Sequence, residues 1–301
     1  MEAVQKKEKK TKDTKSVDRL YKIFIYVAMI TLAVSIIIPV AWVFVASIKQ
    51  SSEFYGDPWA MPQGFYWKNF VDAFQEAKMG GYLLNSVLVT GMGITMLLVL
   101  ALPAAYVLAR FEFPFRKAIR TFVRAGLFIN ISYIVVPIFL MLLEWDNGLK
   151  GMGGAGFFLN NRFILALVYA TNALPFTIHL LSSYFETIPF DFEEAAYIDG
   201  ATLFKTMTSV IIPMARPSIV TVILFNFLSF WNEYILALTL MPGAKKTLPV
   251  GLMNLMAAER AATNYGMMYA GMVIVMLPTL VLYIIVQKKL TQGMTAGGIK
   301  G

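Results

Sequence analysis

The 301-residue chain contains no cysteine and a single histidine, His179. That inventory excludes disulfide frameworks, thiolate catalysis and metal sites built from cysteine or from several histidines. A membrane-embedded enzyme would find no catalytic constellation to draw on either. Charge is also scarce: 15% of residues are Asp, Glu, Lys or Arg, where a soluble domain carries about a quarter. No phosphate-cradling GxxxxGK[ST] loop occurs, so any ATP used must be bound by another chain. No folded basic module for nucleic acid accompanies the net charge of +8.

What the chain has in abundance is oil. Hydrophobic residues make up 58% of it, and the mean hydropathy is +0.64. Residues 23–48, 79–109, 125–143, 163–185 and 261–287 are free of charge, and 217–241 holds only Glu233. Each run is at least as long as the roughly 18 residues that mark a membrane span. The expectation is an all-α integral membrane protein with six transmembrane helices, near 21–48, 81–109, 118–143, 162–185, 216–241 and 265–289. A basic tail (1–20) precedes this single domain (21–290), and a short tail (291–301) follows it. The first apolar run is too long for a secretory signal and is expected to be retained as a span.

Basic residues set the orientation. Eighteen Lys and Arg fall on the side shared by both termini and eight on the other. The positive-inside rule therefore predicts cytoplasmic termini in a bacterial or archaeal cytoplasmic membrane. The charge asymmetry also favours contact with anionic membrane lipid. Outward segments are expected at 49–80, 144–161 and 242–264, with turn material such as GDPWAMPQG and KGMGGAG.

One segment on the basic side is acidic. EEAAYIDGATLFKTMTSVIIPMARP follows the fourth run, and Glu186, Asp191, Glu193, Glu194 and Asp199 gather there. Asp191 is placed to cap a short helix, with Glu194 three residues on in a capping-box arrangement. Gly200 is placed to end it, because glycine turns the chain at little steric cost. A second helix is expected to carry an apolar stripe of Leu203, Phe204, Met207, Val210 and Ile211. Pro213 stops or kinks it, and Pro217 suits the first turn of the next span. An amphipathic interfacial helix would explain the stripe. It would not explain the carboxylates, which an anionic leaflet repels and a basic protein cleft attracts.

Glu194-Ala195-Ala196, three residues, Gly200, nine residues and Val210-x-Ile212-Pro213 resemble the EAA motif of permease subunits of binding-protein-dependent ABC importers. Val210 and Ile212 are conservative departures from its usual form. NSVLVT, AAYVLARFEFPFRKAI, WNEYILAL and the terminal GMTAGGIKG extend the similarity to carbohydrate-type permeases, and to the shorter maltose-permease-like partner in particular. The resemblance implies the ABC type I importer transmembrane fold and a coupling segment at 189–217. Glu193, Glu194, Ala195, Ala196, Asp199, Gly200, Ala201 and Pro213 would form a coupling helix seated in a cytoplasmic ATPase. Thr295, Gly297, Gly298 and Lys300 would reach between two ATPase subunits. The implied partners are a second homologous permease (a heterodimer), two ATPases and an extracytoplasmic solute-binding protein. ATP and Mg belong to the ATPases, and no cofactor to this chain.

Polar groups inside spans are costly and therefore candidates for the translocation path. Glu233 lies about 24 Å along the fifth run from Pro217, near the outer edge of a ~30 Å core. It is either an interfacial anchor beside Trp231 and Tyr234 or part of a gate with Asn232 and Tyr234. Asn85, Asn130, Asn172 and Asn226 either bond across helices or line the path. His179 is expected to be packed or interfacial, and Pro39, Pro103, Pro137, Pro175 and Pro278 to mark kinks. The scarcity of intramembrane charge fits a neutral sugar or oligosaccharide. A polyol, glycerol phosphate or anionic saccharide is the alternative cargo. An ion-coupled secondary transporter would need more buried ionisable groups and inverted repeats.

Overall fold

A computed structural model describes the backbone of residues 2–55, 57–75, 78–262 and 264–298, and the side chains of 21–55, 57–75, 78–258 and 264–287. Helices α1 (Glu2–Ala46), α3 (Met79–Arg110), α5 (Ile131–Gly151), α6 (Arg162–Phe185) and α13 (Tyr265–Gly298) contain stretches long and apolar enough to cross a membrane. One further span, the fifth in chain order, is broken. Residues 203–214 and α10 (Arg216–Trp231) meet at a bend of 76°. No strand occurs among the described residues.

The core forms around α3 and α6, which pack along much of their length. Gly93, Leu97, Ala101 and Ala105 recur every fourth residue on α3, and Ala166, Ala170 and Ala173 are buried on α6. Lipid is as apolar as leucine, so spans associate through close packing, and small residues let two backbones approach. A Cβ on Gly93 would stand 3.2 Å from the Phe230 ring of α10, so this contact is already full. By contrast, the most apolar 18-residue window of α1 within Tyr21–Ala46 has no buried residue in the single chain, and burial begins at Ala46.

At one end of the bundle, α2 (Lys68–Gln75) and α12 (Leu248–Ala262) pack against α3 and α13. Asn85 Nδ2 donates to the Lys246 carbonyl at 2.9 Å, and the Leu248 amide donates to Ser86 Oγ at 2.8 Å. The segment 242–264, expected as an outward connection, is therefore largely a helix pinned to the start of α3.

Two spans differ from expectation. The third begins at Ile131 rather than near 118, because Arg116–Gly126 forms a separate helix, α4, that lies along α6. The span continues past Leu143 through Glu144, Asp146 and Lys150. Asp146 is buried at no great cost, since it pairs with Lys150 at 2.7 Å and accepts the Phe158 amide at 2.8 Å. The fifth span stops at Trp231 rather than 241, and a short helix, α11 (Ile235–Leu240), follows the break. All five prolines expected to kink spans lie inside continuous helices.

Candidate functional site

The acidic segment folds as an elbow. Its first arm, α7, runs Asp191–Ile198. The N-cap is Phe190 and not Asp191, whose side chain makes no cap bond. Instead the Phe190 carbonyl receives the Glu193 and Glu194 amides at 2.9 and 3.1 Å. Asp191, Glu193 and Glu194 all sit in the first turn, where carboxylates favour the helix dipole.

The far end of α7 explains the spacing between Ala196 and Gly200. The Ala201 amide donates to the Ala196 carbonyl at 2.9 Å, and the Gly200 amide to the Tyr197 carbonyl at 3.0 Å. This pair of bonds is a Schellman motif, which requires a left-handed residue four positions after the first acceptor. Gly200 supplies it with φ of +79°, and no atom lies within 4 Å of where its Cβ would stand. The glycine is thus demanded by backbone conformation rather than by space. Thr202 then starts the second arm, its Oγ1 accepting the Lys205 amide at 3.4 Å.

That arm consists of α8 (Leu203–Thr206), a π-helical turn (Met207–Ile211) and α9 (Ile212–Met214). The wide turn changes the expected stripe. Met207 and Ile211 are buried, whereas Leu203 and Phe204 face outward, Phe204 with 70% of its surface exposed. Pro213 is in the first turn of α9, and the 76° bend follows at Ala215.

An eight-residue helix does not hold itself in solution. What fixes α7 is Glu193, which is fully buried. Its Oε1 lies 2.6 Å from Arg110 Nε, close although off the hydrogen-bonding direction, and its Oε2 accepts the Tyr106 hydroxyl at 3.2 Å. Arg110 Nη2 donates to the Ile188 carbonyl at 2.8 Å, and its guanidinium lies 6.0 Å from the centre of the Phe190 ring. Two side chains one turn apart at the end of α3 thus clasp the elbow's first arm. Glu193, expected in the coupling helix, thus has its carboxylate engaged inside the chain. Ala196 is buried beside it, while Glu194, Ala195, Asp199 and Gly200 are exposed and Ala201 is half-buried. Around the exposed set stand Phe190, Phe192, Ile198 (86% exposed), Leu203 and Phe204. The elbow therefore carries exposed carboxylates together with an apolar rim.

Sequence reasoning passed over Arg110 and Tyr106 as site residues. Their i, i+4 spacing at the end of a span was the available signal. It became informative only with the partner carboxylate 83 positions away.

The path candidates are mostly engaged within the chain. Asn226 is buried and donates to Thr177 Oγ1 and the Val222 carbonyl at 3.1 and 2.8 Å. Asn130 caps α5, accepting the Ser132 amide at 2.9 Å. Glu233 receives the Tyr169 hydroxyl at 2.7 Å and the Leu236 and Ala237 amides at 2.7 and 3.0 Å. It is the group that starts α11 after the break. Asn232 is exposed and donates to the Leu228 carbonyl of its own helix, and Tyr234 packs half-buried on the core. Of the four residues expected in the C-terminal tail, Thr295, Gly297 and Gly298 belong to the backbone of α13. Their side-chain surroundings, and Lys300 altogether, lie outside the described residues.

A bundle of apolar helices with one bent span, and with an elbow clasped to its end, has the make-up of a polytopic membrane protein. The chain belongs to the family of binding-protein-dependent transport system inner membrane components, which it matches over residues 98–295. That is a family of transport components and not of enzymes. The chain is 33% identical over 283 residues to the diacetylchitobiose uptake system permease protein NgcG of Streptomyces coelicolor, covering 94% of this chain and 90% of that one. It is 32% identical over 267 residues to the trehalose transport system permease protein SugB of Mycobacterium tuberculosis, covering 88% and 93%. Among solved structures, a bacterial ABC transporter involved in import of the acidic polysaccharide alginate superposes with a TM-score of 0.73 at 26% identity. The match covers 90% of this chain and 96% of that one. The fold is thus that of a type I ABC importer permease.

Proposed function

We propose that this chain forms half of the translocation path for a sugar or oligosaccharide in an ATP-driven importer. A second, homologous permease would supply the other half, and an extracytoplasmic binding protein would deliver the cargo. The cargo class is supported by the functions of the relatives, diacetylchitobiose uptake and trehalose transport. The elbow supports the mechanism: it is an exposed acidic structure that joins α6 to α10 and is clasped to α3.

In this mechanism Glu194, Ala195, Asp199, Gly200 and the apolar rim seat in a groove of one of two cytoplasmic ATPase subunits, which bind the ATP and Mg. The termini lie on that side, and the tail with Thr295, Gly297, Gly298 and Lys300 reaches between the ATPases. Closure of the ATPases on ATP displaces the elbow as a rigid piece. Glu193 hands the displacement to α3 through Arg110 and Tyr106, and the second arm hands it to α10 through the bend. Both helices touch α6, so the core moves as one body and the path opens towards the loaded binding protein. Hydrolysis resets it.

A bulky residue at exposed Ala195 tests this directly. Ala195→Trp should abolish uptake and binding-protein-stimulated ATP hydrolysis while the permease still inserts. Normal coupling by that variant would remove the elbow from the mechanism. Uptake measured across a panel of saccharides decides the cargo class.

A further inference from the structure

The geometry points to a binding site for an anionic phospholipid on the α4–α6 face, a role separate from cargo transfer. It rests on membrane placement, which family membership gives, and not on the identity of the cargo. Helix α4 is strongly two-sided. Arg116, Lys117, Arg120 and Arg124 lie along one side, whereas Phe115, Ile119 and Phe122 are exposed on the other, with Phe128 and Ile129 exposed just beyond its end. It packs along α6 so tightly that a Cβ on Gly126 would stand 2.7 Å from the Pro175 ring. Pro175 is ten residues from the end of α6, about 15 Å of helix. Arg116 and Lys117, at the start of α4, thus lie near the bundle's end, and Phe128 and Ile129, beyond its last turn, lie deeper.

A shallow recess opens between the two helices, lined by Arg120, Arg124, His179, Ser182, Ser183 and Glu186. The ionic state of this recess is uneven. Arg120 is already used, paired with Glu186 and donating to the Leu108 carbonyl. Arg116 is likewise paired with Glu112. Arg124 is exposed and has no carboxylate partner among the described residues, and the imidazole of His179 has no hydrogen bond there. The hydroxyls of Ser182 and Ser183 both donate to the His179 carbonyl, keeping lone pairs but no further donor for the recess. One unspent guanidinium and one imidazole N–H, with exposed Phe128 and Ile129 beyond them, match a phosphodiester above acyl chains. A soluble phosphate would use the cations but leave Phe128 and Ile129 bare, which is why the occupant is a lipid.

The test uses the complete transporter, purified in detergent and then placed in nanodiscs. Native mass spectrometry counts phosphatidylglycerol retained in competition with phosphatidylcholine. The wild type should retain the anionic lipid, and Arg124→Gln should weaken retention about fivefold, the effect of one basic side chain near a membrane surface. Phe128→Ser should weaken it too, and Lys68→Gln, at the opposite end of the bundle, should not. Equal retention by wild type and Arg124→Gln overturns the site. So does displacement of the lipid by millimolar inorganic phosphate, which would mark a soluble-anion site. Sugar uptake in zwitterionic nanodiscs reports the importer function separately, so loss of the lipid site and loss of the transport assignment are distinguishable.

Discussion

Replacing Glu193 by alanine separates two roles that a carboxylate in this segment could have. The side chain is fully buried, and the Arg110 side chain has 8% of its surface exposed. Removing one partner of a buried ion pair leaves the other uncompensated, at about 3–5 kcal/mol. Here Arg110 keeps its bond to the Ile188 carbonyl, so the lower end applies, about 3 kcal/mol. The elbow's first arm has few other holds, so the loss should appear as local opening, about a hundredfold more frequent at 1.36 kcal/mol per tenfold. Hydrogen exchange of the 186–200 backbone in the assembled transporter reads this. Tyr106→Phe, losing one 3.2 Å bond, should raise opening about tenfold or less. In the double variant Glu193→Ala/Arg110→Gln the costs should fall well short of additive, because the stranded charge is gone. Unchanged exchange in Glu193→Ala together with lost ATPase coupling would refute the clasp and return Glu193 to the partner's groove.

Other outcomes follow from the same geometry. Gly200→Ala should cost about 1 kcal/mol through its left-handed backbone and leave partial uptake. Gly200→Pro, which cannot reach φ of +79° and loses the bond to Tyr197, should abolish uptake with insertion intact. Asn226→Leu should lower thermal stability in detergent by roughly 0.6–1.7 kcal/mol and leave cargo preference unchanged if its amide only ties α10 to α6. A shifted saccharide profile would place it in the path instead. Glu53 is held below the usual carboxylate range first by the Gln63 amide, then by Gln50 and by nearby Lys49. A lowered pKa stabilises above the unfolded value and is lost as pH falls through the folded one. Loop 50–63 should therefore loosen under acid, below the ordinary glutamate value of about 4.3, by Trp59 emission, and Glu53→Gln should remove that pH dependence.

Helix content, the apolar spans and the glycine turn were legible because each depends on neighbours within a few residues. Gly200 is the clearest case, since a Schellman motif is a purely local demand. The third span was misplaced for the opposite reason. Glu144 ends the charge-free run, yet the helix continues to Gly151, with Lys150 and the amides of 158 and 159 satisfying Asp146. Glu233 likewise read as an intruder in a span, whereas the chain breaks at that point and uses the carboxylate to begin α11. Glu193 and Glu194 are adjacent and chemically alike, and only the tertiary position of Arg110 decides which is buried and which faces out. The route of the cargo stayed hidden because asparagine serves packing and recognition with the same amide.

The bend at Ala215 has a mechanical consequence. Residues 203–214 form an arm about 18 Å long set at 76° to α10. An elbow displaced by about 3 Å about that pivot turns the arm by about 10°, from the arm length just given. A straight continuation into the span would have passed the same push along as translation. In the proposed mechanism the angle would act as a crank, converting a short linear stroke outside the bilayer into rotation within it.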